Sequence, residues 1–119
     1  MTKSLALENL DAQRDWGHAR DYVSAMWQML QQEQPDDYVI ATGRTVSVRK
    51  FCEMAFANVD LQANDYITID PTCLRPAEVD ILQGDASKAK KALGWDAETS
   101  IEELVSEMVE ADLARIRKA

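Results

Sequence analysis

Residues 15–32 read DWGHARDYVSAMWQMLQQ, and the spacing of their apolar side chains sets the architecture. Val23, Met26, Trp27 and Leu30 fall at i, i+3, i+4 and i+7, which predicts a helix over 15–32 with one apolar face. Tyr22, Ala25 and Met29 make a second stripe beside the first. A helix apolar around so much of its circumference expects burial on more than one side. The Gln-Pro-Asp-Asp turn at 34–37 ends it.

On the amino-terminal side, residues 1–13 lack periodicity and read as an extended lead-in. On the other side, Tyr38-Val39-Ile40-Ala41 reads as a short strand closed by Thr42-Gly43. Ser47 is placed to cap a second helix over 48–58, with Val48, Phe51, Cys52, Ala55 and Val59 on its core face. Residues 66–69 alternate as a second strand, and 70–84, punctuated by Pro71, Pro76 and Gly84, read as irregular. Asp85 is expected to cap a short helix to Leu93, with Gly94 as its left-handed end and Trp95 closing the motif. Ser100 and Glu103 form a capping box for a last helix, Ile101 to about Arg117, with Ile101, Leu104, Val105, Met108 and Val109 inward. The fold class is therefore α+β, mainly helical, with four helices and two short strands in one domain over 1–119.

Composition narrows the function. With 119 residues, 46% apolar and 29% charged, the chain reads as a soluble globular domain. No apolar run approaches the roughly 18 residues of a membrane span, and no secretory leader is evident, so a cytoplasmic protein without a membrane partner is expected. Thirteen basic against twenty-one acidic residues give a net charge of −8, which argues against nucleic acid. Cys52, Cys73 and one histidine cannot furnish a disulfide framework or a zinc site. No glycine-rich dinucleotide loop, P-loop or HExxH occurs.

Chemistry then rests on polar residues in tight segments. Arg14-Asp15-Trp16 stands before the first helix, and Arg75-Pro76-Ala77-Glu78 in the irregular stretch. A guanidinium is a planar, permanently charged fork suited to phosphate oxygens, and a carboxylate three residues on can accept from a ribose hydroxyl pair. Pro76 stiffens the loop between them. The plainer alternative pairs Arg14 with a nearby aspartate and Arg75 with a helix-end carboxylate. His18 reads as a hydrogen-bonded core or boundary residue, and Trp16, Trp27 and Trp95 as core. Cys52 behaves as a small hydrophobe.

These segments resemble a known family. Residues 9–19 (NLDAQRDWGHA), 21–23, 29–32 with 35–43, Ser47-Val48-Arg49, Arg75-Pro76-Ala77-Glu78-Val79-Asp80, Gly84-Asp85, Lys88-Ala89-Lys90 with Leu93-Gly94-Trp95, and Glu107-Met108-Val109 are similar, in order, to the carboxyl-terminal third of the GDP-mannose 4,6-dehydratases, which are extended short-chain dehydrogenase/reductases. The resemblance runs over about residues 7 to 113. It implies an NADP-dependent dehydration of GDP-mannose to GDP-4-keto-6-deoxymannose. The cofactor and catalytic residues lie in a Rossmann portion outside this stretch. Tyr22, Tyr38 and Tyr66 are followed four residues on by Met26, Thr42 and Asp70, so no Tyr-x-x-x-Lys pair is present and no catalytic residue or cofactor is assigned to the chain. By the same resemblance Arg14 and Arg75 grip a diphosphate, Glu78 takes ribose hydroxyls, and Asn9 lies beside the nucleotide. Glu8 stands where the family usually has glycine, and Cys73-Leu74 replaces an aromatic pair.

Two expectations follow. One is a nucleotide-sugar-binding module for GDP-mannose or a relative, inactive alone. The alternative is a non-catalytic interaction protein that kept the scaffold and lost the ligand. In the family, 38–41 joins the sheet of the Rossmann portion and 15–32 packs on it. A homo-oligomer through helix 15–32 or strand 38–41 is therefore also expected.

Overall fold

The computed structural model describes residues 3–73 and 80–118. Among the described residues the strands and α-helices run in the order β1 (Leu5–Leu7), β2 (Gln13–Asp15), α1 (Ala19–Leu30), β3 (Thr45–Ser47), α2 (Val48–Ala57), β4 (Ile67–Ile69), β5 (Ile81–Leu82), α3 (Ser87–Leu93) and α4 (Ile101–Lys118). The result is the expected α+β, mainly helical fold. β1 pairs in parallel with β4, Leu5 opposite Ile67. β2 lies between β3, antiparallel, and β5, parallel.

The helices begin and end where local chemistry directs. Ser47 Oγ accepts from the Lys50 amide at 3.0 Å and starts α2. Ser100 Oγ accepts from the Glu103 amide at 3.1 Å while Glu103 Oε1 reaches back to Ser100, completing the capping box of α4. Gly94 ends α3 at φ 67°, and the Trp95 amide returns to Ala89 O. Acidic Glu102 and Glu103 in the first turn of α4, with Arg115, Arg117 and Lys118 in its last, suit the helix dipole.

Several expectations need correction. The first helix starts at Ala19, not Asp15, because 13–15 is taken by a strand and His18 is the cap residue, its Nδ1 accepting from the Arg20 amide at 2.9 Å. Residues 38–41 form no strand: among the described residues no ladder partner lies beside them. Their alternation survives, with Tyr38 and Ile40 packed inward and Val39 exposed. α3 starts at Ser87, two residues after Asp85, whose Oδ1 accepts from the Ser87 amide. β2 escaped the sequence reading because Gln13-Arg14-Asp15 has no apolar side chain, so its pairing is decided by neighbours alone.

Among the described residues two small cores form. Ala25, Ala89 and Trp95 form one, with Tyr22, Tyr38, Ile40 and Leu93 around them. Ile101, Leu104 and Val105 form the other, against Trp16, Val46, Phe51 and Met54. Trp16 packs at a tilt of 35° against Phe51, 4.5 Å between ring centroids, and donates from Nε1 to Val46 O at 2.9 Å. Trp27, expected in the core, is 63% exposed, and Met108, expected inward, is half exposed.

Asp21 ties α1 to the segment between α3 and α4. Buried on α1, it accepts from the Thr99 amide through Oδ2 at 3.0 Å, while its carbonyl accepts from Trp95 Nε1 at 2.8 Å. Asp21→Ala leaves the buried Thr99 amide without its acceptor and costs about 1–3 kcal/mol. Ser100→Ala, which removes an exposed cap, costs about 1 kcal/mol. Urea unfolding of the two variants should place Asp21→Ala lower in midpoint.

Candidate functional site

β2 is the middle strand of its sheet and presents Gln13 and Asp15 on one face and Arg14 on the other. On the first face Thr45 donates from Oγ1 to Gln13 Oε1 at 3.2 Å. The Asp15 carboxylate is the more heavily engaged. Its Oδ1 accepts from the Thr42 amide at 2.9 Å and the Thr42 hydroxyl at 2.6 Å. Its Oδ2 accepts from the Gly43 amide at 2.8 Å and the Gly84 amide at 3.4 Å. Gly84 must be glycine for this approach, since a Cβ there would collide with Cβ of Ala41. Burial alone would push the Asp15 carboxyl up, but the bonds from Thr42, Gly43 and Gly84 together outweigh it and hold the group below the usual aspartate value.

Tyr22 stands beside it. Burial, followed by the charges of Asp15 and Asp21, raises the phenol, so Tyr22 stays protonated. Its ring lies against Gly17, where a Cβ would meet the Tyr22 hydroxyl. Arg14, Asp15, Tyr22, Val39, Leu82 and Gln83 border an open groove of about 370 Å³. Arg14 Nη1 donates to Gln13 O at 2.8 Å and reaches Asp80 O at 3.5 Å, and the Gln13 amide also donates to Asp80 O at 2.6 Å. A neighbouring cavity of about 520 Å³ lies between Gly43, Gln83, Asp85, Lys90 and Trp95.

Of the four residues expected at the site, the structure places Arg14 on this groove. Asn9 does not border it: Asn9 Oδ1 accepts from the Asp11 amide at 3.1 Å, a local turn contact. Arg75 and Glu78 lie outside the described residues. The sequence reading missed Asp15 and Tyr22 as groove residues; an acid between Arg14 and Trp16 in a strand without apolar residues was the available signal. His18 is a boundary residue as expected, its Nε2 3.0 Å from Glu107 Oε2. Since Nδ1 accepts from Arg20, Nε2 carries the proton in the neutral ring.

Among the described residues no group of three or more His, Cys, Asp or Glu side chains could hold a metal, and no helix is long and apolar enough to cross a membrane. The glycines at 17, 43, 84 and 94 are isolated, one each against Tyr22, in a turn, against Ala41 and at a helix end. Such single glycines do not fit the pyrophosphate of a dinucleotide, which needs a glycine-rich turn opening a helix.

The fold is that of a part of an extended short-chain dehydrogenase/reductase. RMD from Pseudomonas aeruginosa complexed with NADPH matches at TM-score 0.83 and 21% identity, over 94% of this chain and 36% of that one. dTDP-glucose 4,6-dehydratase from Bacillus anthracis, in complex with NAD, matches at TM-score 0.80 and 21% identity, over 91% and 34%. Within that class the sequence is specific. The family model described as GDP-mannose 4,6 dehydratase matches residues 1–108. GDP-mannose 4,6 dehydratase 2 of Arabidopsis thaliana is 56% identical over 109 residues, 92% of this chain and 29% of the relative. The Homo sapiens GDP-mannose 4,6 dehydratase is 46% identical over 129 residues, 94% of this chain and 35% of the relative. This chain belongs to the GDP-mannose 4,6-dehydratase family, and it spans about a third of the length of the curated relatives it matches.

Asp15 gives the site a pH signature. A carboxyl depressed in the folded state contributes stability that is present above its unfolded value, about 3.9, and is lost as pH falls through the lower folded value. Asp15→Asn should lower the urea midpoint at pH 7, and the gap from the parent chain should shrink as the pH falls below about 4.

Proposed function

We propose that this chain is the nucleotide-sugar-binding part of a GDP-mannose 4,6-dehydratase, a single substrate-gripping domain over 1–119 that acts in the cytoplasm. The observation that carries the reading is the position of Arg14: on the groove, with its guanidinium at the carbonyl of Asp80, where the chain leaves the Arg75–Glu78 segment. Arg14 and Arg75 would hold the diphosphate and Glu78 the ribose hydroxyls. A guanidinium keeps its charge at every physiological pH and matches phosphate oxygens two at a time. Asp15 contributes by geometry: its oxygens accept from the amides at 42, 43 and 84, which fixes the wall of the groove that Arg14 also borders. Asn9 has a lesser part, since its side chain is committed to a turn. NADP and the dehydration chemistry belong, on this reading, to a Rossmann portion outside these residues, and the lyase reaction needs that portion.

The reading is tested by calorimetric titration with GDP-mannose, with GDP and UDP-glucose as controls. Selective heat with the guanosine ligands is expected. Arg75→Ala and Arg14→Ala should each weaken binding by roughly tenfold to a hundredfold, the scale of one charge-assisted contact. Absence of heat from a folded chain would overturn the reading in favour of an interaction scaffold, which the exposed apolar face of α1 favours.

A further inference from the structure

His18 is the one histidine of the chain, and both of its ring nitrogens are engaged. Nδ1 accepts from the Arg20 amide at 2.9 Å, which makes the ring the cap of α1. Nε2 lies 3.0 Å from Glu107 Oε2 on α4. The first contact needs a lone pair on Nδ1 and the second uses the proton on Nε2, so the neutral ring satisfies both at once. The side chain is 18% exposed, within reach of solvent protons.

A second proton removes the lone pair on which the cap depends. Both nitrogens of an imidazolium are donors, so Nδ1–H would point at the Arg20 N–H, donor against donor. A positive ring at the first turn of a helix also opposes the helix dipole, which favours anions there. The contact to Glu107 responds in the opposite sense. It passes from the hydrogen bond of a neutral ring to a charge-assisted pair and becomes stronger.

The charged groups around the ring decide which contact gives way. From α4, Glu107 faces Nε2, and Arg20 Nη2 lies 3.8 Å from the same Oε2. On α1, Arg20 Nη2 is anchored to Thr99 Oγ1 at 3.1 Å, and the Asp21 carboxylate is engaged by the Thr99 amide. Asp15, at the end of β2, turns its oxygens to Thr42, Gly43 and Gly84. Among the described residues Glu107 is the carboxylate bonded to the ring, so a charged ring stays with α4 and lets go of α1.

We propose that His18 is a proton-operated joint between α1 and α4. Protonated, it tightens on Glu107 and releases the Arg20 amide that it caps when neutral. The first turn of α1 is the part set free. That turn holds Asp21 and Tyr22, whose amides both return to His18 O. Tyr22 borders the groove beside Arg14, so acid loosens the α1 side of that groove. Histidine changes charge between about pH 5 and 8, a range in which ordinary carboxylates keep theirs. The joint needs no ligand, so it stands or falls separately from nucleotide-sugar binding.

Nitrogen-15 NMR of the 119-residue chain, from about pH 8 down to about 5.5, tests it. At the upper end the ring nitrogen shifts should report the tautomer protonated on Nε2. On acidification the protection of the Arg20 amide against hydrogen exchange should fall about fivefold, the scale of one lost cap, with the same midpoint as the ring. Glu107→Gln removes the partner that favours the charged ring and should move both midpoints down together. His18→Asn keeps a capping side chain that does not titrate, so its Arg20 protection should be flat across the range. A ring that titrates while Arg20 protection stays constant would overturn the proposal. So would a ring that stays neutral throughout, or an Arg20 response that persists in His18→Asn.

Discussion

The Asp15 carboxylate ties together three stretches far apart in sequence. It sits on β2, and its two oxygens gather amides from 42–43 and from 84, with the Thr42 hydroxyl as a further donor. These bonds fix the end of the extended segment 38–41, which no sheet ladder holds among the described residues. They also fix the turn after β5. The groove that Arg14 borders exists because these segments are pinned on either side of β2. Charge-assisted bonds to backbone amides are strong enough to offset the cost of partly burying the anion, which is why Asp15 stays ionised.

A second tie runs from α1 to the segment between α3 and α4. Neither cluster is large: Ala25, Ala89 and Trp95 in one, Ile101, Leu104 and Val105 in the other. Asp21 holds Trp95 of the first cluster and Thr99, two residues before Ile101, using a carbonyl and a carboxylate oxygen from one residue of α1. A chain that buries so little apolar area relies on such directional contacts, and it leaves an apolar face outward for which it has no cover of its own. The same economy explains the shape. Elements two and three residues long, such as β5 and β2, give edges and grooves rather than a closed sheet.

The sequence by itself determined the helices and those of their ends that a local cap marks, though not the start of the first or third. Ser47, Ser100 with Glu103, and Gly94 act on amides and carbonyls within a few residues, so their effect is readable without knowing the fold. It also carried the family, because many short segments in register are shared, and it singled out Arg14 as a charge in a tight place. Tertiary structure alone decided three matters. It decided that 13–15 is a strand and 38–41 is not, because pairing needs a partner edge and not a propensity. It decided which stripe of α1 turns inward, since helical period defines faces but not what they meet. And it decided that Asp15 is the anchor of the groove, because its partners come from positions 42, 43 and 84, and contacts over such separations leave no periodic trace in the chain.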